Sequence, residues 1–281
     1  MQKIAILTDS SCDLSKEERE QKGIFMLPVK IIYKDAEYLD HLTISPQEIY
    51  DRIETEVPKT SLPSADYMNE VFDKIEAEGY THVVGVFLSS ALSGTFNAIR
   101  LQLLERDAFE YSMFDSKILG YPLGMIVLKA YEMVQAGKSF DEIVNCLPTI
   151  KAGTYGIYTL NTLEYLIKGG RIGKVSGTIG DLLNLKPIIT VDENGAYVTI
   201  AKARGRKQSL KKLKAIADDL VAEGKCKLFI LHGNALTEAE ALKETFAGHP
   251  NITDLDIRDI GPAMGIHVGP GMIAFALQKD C

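Results

Sequence analysis

Apolar residues in this chain fall into short continuous runs, and between the runs lie polar loops and stretches of helical spacing. Ile4–Leu7 predicts a buried strand that delivers Thr8-Asp9-Ser10-Ser11 at its C-terminal end. A charged helix follows from about Ser15 to Gly23, then a strand over Phe25–Tyr33 with Pro28 at an edge or bulge. Ser45-Pro46-Gln47-Glu48 reads as a capping box with proline at the first helical position. Val57–Ser64 predicts a loop, since Pro58 and Pro63 interrupt regular structure, and Ala65–Glu78 a helix. His82–Leu88 is apolar enough for a strand buried on both faces, and it leads through Ser89–Thr95 to a helix near Phe96–Leu104. A strand at Tyr111–Phe114 and helices near Pro122–Gln135 and Phe140–Leu147 complete a strand–loop–helix repeat. That repeat predicts a mostly parallel, Rossmann-like sheet with helices on its faces.

The texture changes near residue 150. Strands at Thr154–Thr159, Pro187–Val191 and Tyr197–Lys202 bracket a hairpin signal at Glu193-Asn194-Gly195. A basic helix over Lys207–Glu223, a strand at Lys227–Leu231, a helix at Thr237–Phe246 and a strand at Thr253–Ile257 follow. Gly265–Gly271 reads as a glycine-rich loop before a final apolar helix. The expected architecture is therefore two α/β domains, residues 1–150 with a parallel sheet and 151–281 with a mixed sheet, and a ligand between them.

Composition excludes some functions. The 281 residues are 46% hydrophobic and 25% charged, which predicts a packed globular chain rather than disorder. The net charge of −7 makes general nucleic-acid binding unfavourable. Between Lys151 and Lys214, however, 12 Lys/Arg stand against 4 Asp/Glu, a local +8. Cys12, Cys146, Cys226 and Cys281 form no CxxC pair, and the five histidines are dispersed, so no metal site is predicted. The run at the start is too short for a signal peptide, and no stretch approaches the ~18 apolar residues of a membrane span; a cytoplasmic protein is expected.

In an open parallel sheet, ligands sit beyond the carboxyl ends of the strands. Three loops are candidates there: Thr8–Asp13, Ser89–Thr95 and Asp115–Lys117. Ser93 stands before a helix whose free N–H groups and dipole favour an anion, although a serine there also serves simply as a cap. Thr60, Ser61 and Ser64 put hydroxyls on a proline-stiffened segment that equally begins a helix. Gly169–Lys174 is glycine-rich and basic without Walker spacing, and reads either as a site or as a connection with solvated charge. His267 lies among glycines, where a lone histidine is as readily structural. Lys202–Lys214 reads most simply as a solvated face. No Ser–His–Asp set, GxSxG elbow or carboxylate pair emerges.

Several segments, in order along the whole chain, together resemble the DegV family. They are Thr8–Leu14, Lys59–Ser64, Leu88–Thr95, Phe114–Ser116, Leu166–Ile172 and His267–Gly271. Leu62 departs from the pattern, which often has Gln there. The resemblance implies a two-domain α/β fold with one long-chain fatty acid, such as palmitate or oleate, buried in a tunnel. It implies that Thr60 or Ser61 and Ser93 hold the carboxylate, and that Arg171 and His267 lie near the head group. It further implies a carrier, not an enzyme, without cofactor or metal. A separate ATP-binding fatty acid kinase subunit would phosphorylate the bound carboxylate. Arg171, Lys174, Arg204 and Arg206 are then candidates for docking that partner, given the local positive charge. A monomer is expected, with no nucleic-acid partner and only transient contact with a membrane surface. The alternatives are a phosphotransferase or hydrolase using the Ser93 helix end as a phosphate site, and a regulator binding nucleic acid through Lys202–Lys214.

Overall fold

The computed structural model describes residues 2–173, 175 and 185–280. The first elements are β1 (Ile4–Asp9), a 3-10 turn (Ser10–Cys12), α1 (Lys16–Lys22), β2 (Phe25–Leu27), β3 (Lys30–Ile32), β4 (Glu37–Leu39), α2 (Pro46–Arg52) and β5 (Lys59–Ser61). They continue with α3 (Ala65–Ala77), β6 (His82–Phe87), α4 (Thr95–Leu103), β7 (Glu110–Asp115), α5 (Tyr121–Gln135) and α6 (Phe140–Ala152). Beyond these come β8 (Thr154–Thr159), α7 (Glu164–Lys168), β9 (Leu185–Val191), β10 (Tyr197–Arg204) and α8 (Arg206–Ala222). The chain then forms β11 (Cys226–Gly233), α9 (Leu236–Glu244), β12 (Ile252–Asp259), α10 (Pro262–Val268) and β13 (Met272–Lys279).

Three sheets form among the described residues. A four-stranded sheet runs β2-β1-β6-β7, all parallel, with Leu7 opposite Gly85 in its centre. A six-stranded mixed sheet runs β10-β9-β8-β13-β11-β12, in which only β11 and β12 are parallel. A small antiparallel sheet, β4-β3-β5, stands beside them.

The helices explain how the sheets stack. Helix α5 is buried over most of its first ten residues, so it reads as hydrophobic nearly all round. It packs on β1 and β6 of the parallel sheet and on β8 and β13 of the mixed sheet. Gly124 permits this approach, because a Cβ there would lie 2.4 Å from the Cys12 carbonyl oxygen. On the opposite face of the parallel sheet, Met68, Phe72 and Ile75 of α3 and Ile99 and Leu103 of α4 cover Ala5, Leu7 and Val83. On the far face of the mixed sheet, Leu213, Ala217 and Val221 of α8 meet Leu228, Ile230 and Phe275. Each such fully buried large side chain contributes roughly 1.5–3 kcal/mol. Capping boxes at Ser15/Glu18, Ser45/Glu48 and Ser139/Glu142 begin α1, α2 and α6, each worth about 1 kcal/mol.

The α/β class with a parallel and a mixed sheet is as read from sequence, but four local expectations are corrected. Phe25–Tyr33 is not one strand: Pro28 breaks it into β2 and β3, which belong to different sheets. Lys59–Ser61 is not loop but strand β5, which fits between the two prolines and pairs with β3. Met272–Lys279 is not a helix but strand β13, central in the mixed sheet and buried over its first seven residues. A short apolar run buried on both faces fits either element by periodicity alone. His267 lies in helix α10 rather than in a glycine loop; Gly261 and Pro262 open that helix.

Candidate functional site

The parallel strands β1 and β6 end side by side, and their loops form one wall of a cavity of about 290 Å³. Thr60 and Ser61 of β5, Ser93, Arg171 and His267 all line it, so residues from four separate segments meet there. Val29, Leu62, Leu88, Leu92, Leu119 and Met264 supply its apolar surface. Beyond Leu119 and Met264 lies a smaller inner chamber of about 30 Å³, with walls that include Ile118, Pro122, Leu231 and Phe275. The volume is thus polar at one end and apolar at the other.

Thr60 sits in β5 opposite the fully buried Ile31. Its Oγ1 is 3.0 Å from His267 Nε2. Burial first, and then the Arg171 charge, pull the His267 imidazole down to about 4, so the ring is neutral near pH 7. Gly169 is needed beside it, since a Cβ there would be 2.3 Å from His267 Nδ1. Arg171 is fixed in turn by donating from Nη1 to the Gly169 carbonyl, 2.6 Å away.

Ser93 is one residue earlier than a helix cap. Gly94 takes the cap position of α4 and has no side-chain bond to offer. Ser93 Oγ accepts the Thr95 N–H at 3.2 Å and lies 2.9 Å from Thr95 Oγ1. Leu62 packs over Gly94: a Cβ on that glycine would stand 3.7 Å from the leucine Cδ2. This contact sets the β5 hydroxyls beside the start of α4.

The other polar residues of the three strand-end loops hold the frame. Asp9 Oδ1 accepts the Ser11 N–H and Oδ2 the Leu88 N–H, each at 2.9 Å, which ties the β1 and β6 loops together. Burial pushes the Asp9 carboxyl up to about 6 against the pull of those bonds. Asp115 accepts from the Ser90 N–H and hydroxyl and from the Lys117 N–H. Ser89 Oγ donates to the Gly195 carbonyl at 2.9 Å, docking the β9–β10 hairpin onto the β6 loop. That contact delivers Tyr197 to the cavity wall.

Sequence reasoning missed Tyr197 and Met264, and it missed how α10 is anchored. Asp13 Oδ1 accepts the Gly261 N–H at 3.1 Å, and Asp40 Oδ1 the Ala263 N–H at 2.9 Å. His41 Nε2 lies 3.2 Å from Asp13 Oδ1. Residues 248 and 223 positions downstream are thereby gripped by the first loops, which no local pattern discloses. The Gly261-Pro262 pair was the available signal for a helix start.

The candidate docking residues separate. Arg171 lines the cavity, whereas Arg204 is exposed at the end of β10, where it shares an open groove with Lys202, Lys211 and Lys212. Arg206 is engaged: its Nε and Nη2 donate to Glu238 at 3.0 and 2.5 Å. Lys174 lies outside the described residues. Among the described residues no group of three His, Cys, Asp or Glu could hold a metal, and no helix is long and apolar enough to cross a membrane.

The chain is similar to known proteins over its whole length. A DegV domain-containing protein of Clostridium perfringens is 59% identical over 280 residues, covering all of both chains. The crystal structure of a fatty-acid-binding DegV family protein of Streptococcus agalactiae superposes with a TM-score of 0.91 at 31% identity, covering both chains fully. A stearic-acid-binding protein of Eubacterium ventriosum superposes with a TM-score of 0.88 at 26% identity, over 99% of this chain and 98% of that one. The DegV family model matches residues 3–280, and the chain belongs to the DegV family.

Proposed function

We propose that this protein binds one long-chain fatty acid, palmitate or oleate in kind, between two units spanning residues 1–150 and 151–281. The observation that carries this reading is the cavity's polarity: hydroxyls and a neutral imidazole at one end, apolar side chains at the other. A carboxylate cannot be buried without partners, whereas an acyl chain gains ~0.8 kcal/mol per buried CH₂. The Thr60, Ser61 and Ser93 hydroxyls donate to the carboxylate. His267 Nε2–H donates to Thr60 Oγ1, which leaves the threonine proton free to point at the ligand. Arg171 supplies the nearby positive charge.

The protein acts as a carrier rather than an enzyme. A separate ATP-dependent kinase subunit phosphorylates the presented carboxylate, and Arg171 and Arg204 face that partner. The carrier is monomeric and cytoplasmic. Organic extraction of the purified protein followed by mass spectrometry tests the first part. Co-purified long-chain fatty acid supports it, and its absence together with no binding of added palmitate or oleate overturns it. ATP-dependent acyl-phosphate from the isolated protein would overturn the carrier role.

A further inference from the structure

We propose that a groove between α1 and α3 is a second ligand site, which takes a small organic carboxylate with an apolar body on the guanidinium of Arg19. The groove has a volume of about 500 Å³, in the range of small-molecule sites. It lies along β2, the edge strand of the parallel sheet, and shares no lining residue with the head-group cavity. Ile24, Phe25, Met26, Leu42 and Val71 give it an apolar surface.

Arg19 lines this groove, yet it is only 6% exposed. A guanidinium carries five N–H donors. The bond from Nε to the Leu14 carbonyl is long, at 3.4 Å, and Nη2 is buried without a hydrogen-bond partner among the described residues. Arg206 and Arg258 also each keep one buried nitrogen unpaired, but both fork a glutamate, Glu238 and Glu18 respectively. Arg19 forms no ion pair among the described residues. A buried charge without a partner is costly, and an anion in the groove supplies one. The Arg19 charge also reaches across to α3: burial raises the pKa of the Tyr67 phenol there, and Arg19 opposes that rise.

The remaining charges set the ligand class. Lys74 in the α3 wall is paired with Glu78 at 3.8 Å, and Glu20 in the α1 wall with Lys16 at 3.7 Å. Glu70 adds a third carboxylate to the lining. One unpaired cation among three carboxylates suits a monoanion and repels a phosphate dianion. The apolar surface beside it suits a ligand with a hydrocarbon body.

The test uses phenylacetate and its uncharged analogue phenylacetamide, titrated by calorimetry into the full chain carrying Arg171→Gln. That substitution removes the charge of the head-group cavity, so the probes report on the groove. Phenylacetate is expected to bind roughly tenfold tighter than phenylacetamide, and adding Arg19→Gln should bring the two together. Leu42→Glu, at a rim position that is 38% exposed, should weaken phenylacetate more than phenylacetamide, and it serves where Arg19→Gln does not fold. If the two probes bind equally or not at all, Nη2 is met by water alone and the inference is overturned. A preference for phenylacetate that survives both Arg19→Gln and Leu42→Glu overturns it too, as does tighter binding of inorganic phosphate than of phenylacetate.

Discussion

Thr60 Oγ1 and His267 Nε2 lie 3.0 Å apart although 207 residues separate them in the chain. The pair closes the polar end of the cavity and joins the small sheet to α10. Replacing Thr60, Ser61 and Ser93 together by alanine is expected to weaken palmitate binding by at least about a hundredfold, because each bond to a charged group is worth roughly 1.5–3 kcal/mol. Titration calorimetry measures this. Unchanged affinity in the triple variant would place the carboxylate elsewhere.

The imidazole makes stability depend on pH. The His267 pKa, about 4 in the folded protein, lies below the ordinary 6.5, so the folded state binds fewer protons between those values. Its contribution is present in full above about 6.5 and is lost as pH falls toward 4. The full effect is on the order of 3 kcal/mol. Urea unfolding of the parent and His267→Gln across this window should show a parent-minus-variant difference that grows with pH. A flat difference contradicts the assignment.

Gly195 should tolerate no side chain. Its φ is +82°, and a Cβ would lie 2.1 Å from Ser89 Oγ. Gly195→Ala is expected to cost about 1–3 kcal/mol and to weaken fatty-acid binding by moving Tyr197. Thermal unfolding and a palmitate titration read both, and a variant with parental values in each would show that the hairpin does not need this contact.

Arg204 and Arg206 should behave differently. If the proposed kinase subunit docks here, Arg204→Glu is expected to slow association with it, most at low salt, and to leave fatty-acid binding by the isolated protein intact. Arg206→Glu breaks the Glu238 fork, so its effect should be on stability, and adding Glu238→Arg should restore it. Surface-capture kinetics at two salt concentrations and thermal unfolding separate the two. Equal loss of association in both variants, unrelieved by the charge swap, would assign Arg206 to docking as well.

Much of this was legible because the signals were local. The Ser15, Ser45 and Ser139 capping boxes and the Asp192–Ala196 hairpin turn need only their immediate neighbours. Ser93 was readable because the loop at the carboxyl end of β6 faces ligands in any open parallel sheet, whereas the role of Thr60 and Ser61, in β5, came from the family resemblance. β5 escaped notice because its stability comes from β3, almost thirty residues away. β13 escaped because burial on both faces erases the alternation that marks a strand. Asp13 and Asp40 were opaque for a similar reason, since their partners are backbone N–H groups of Gly261 and Ala263.

The place of β13 bears on how the molecule is made. The strand lies between β8 and β11 although it follows both in the chain. During synthesis, β8 with β9 and β10 would emerge as one half-sheet and β11 with β12 as another, each with a bare edge. Neither edge is covered until Met272–Lys279 has left the ribosome, and exposed strand edges invite association between chains. A translating chain stalled before residue 272 is thus at greater risk of aggregation than one in which β13 has joined the sheet.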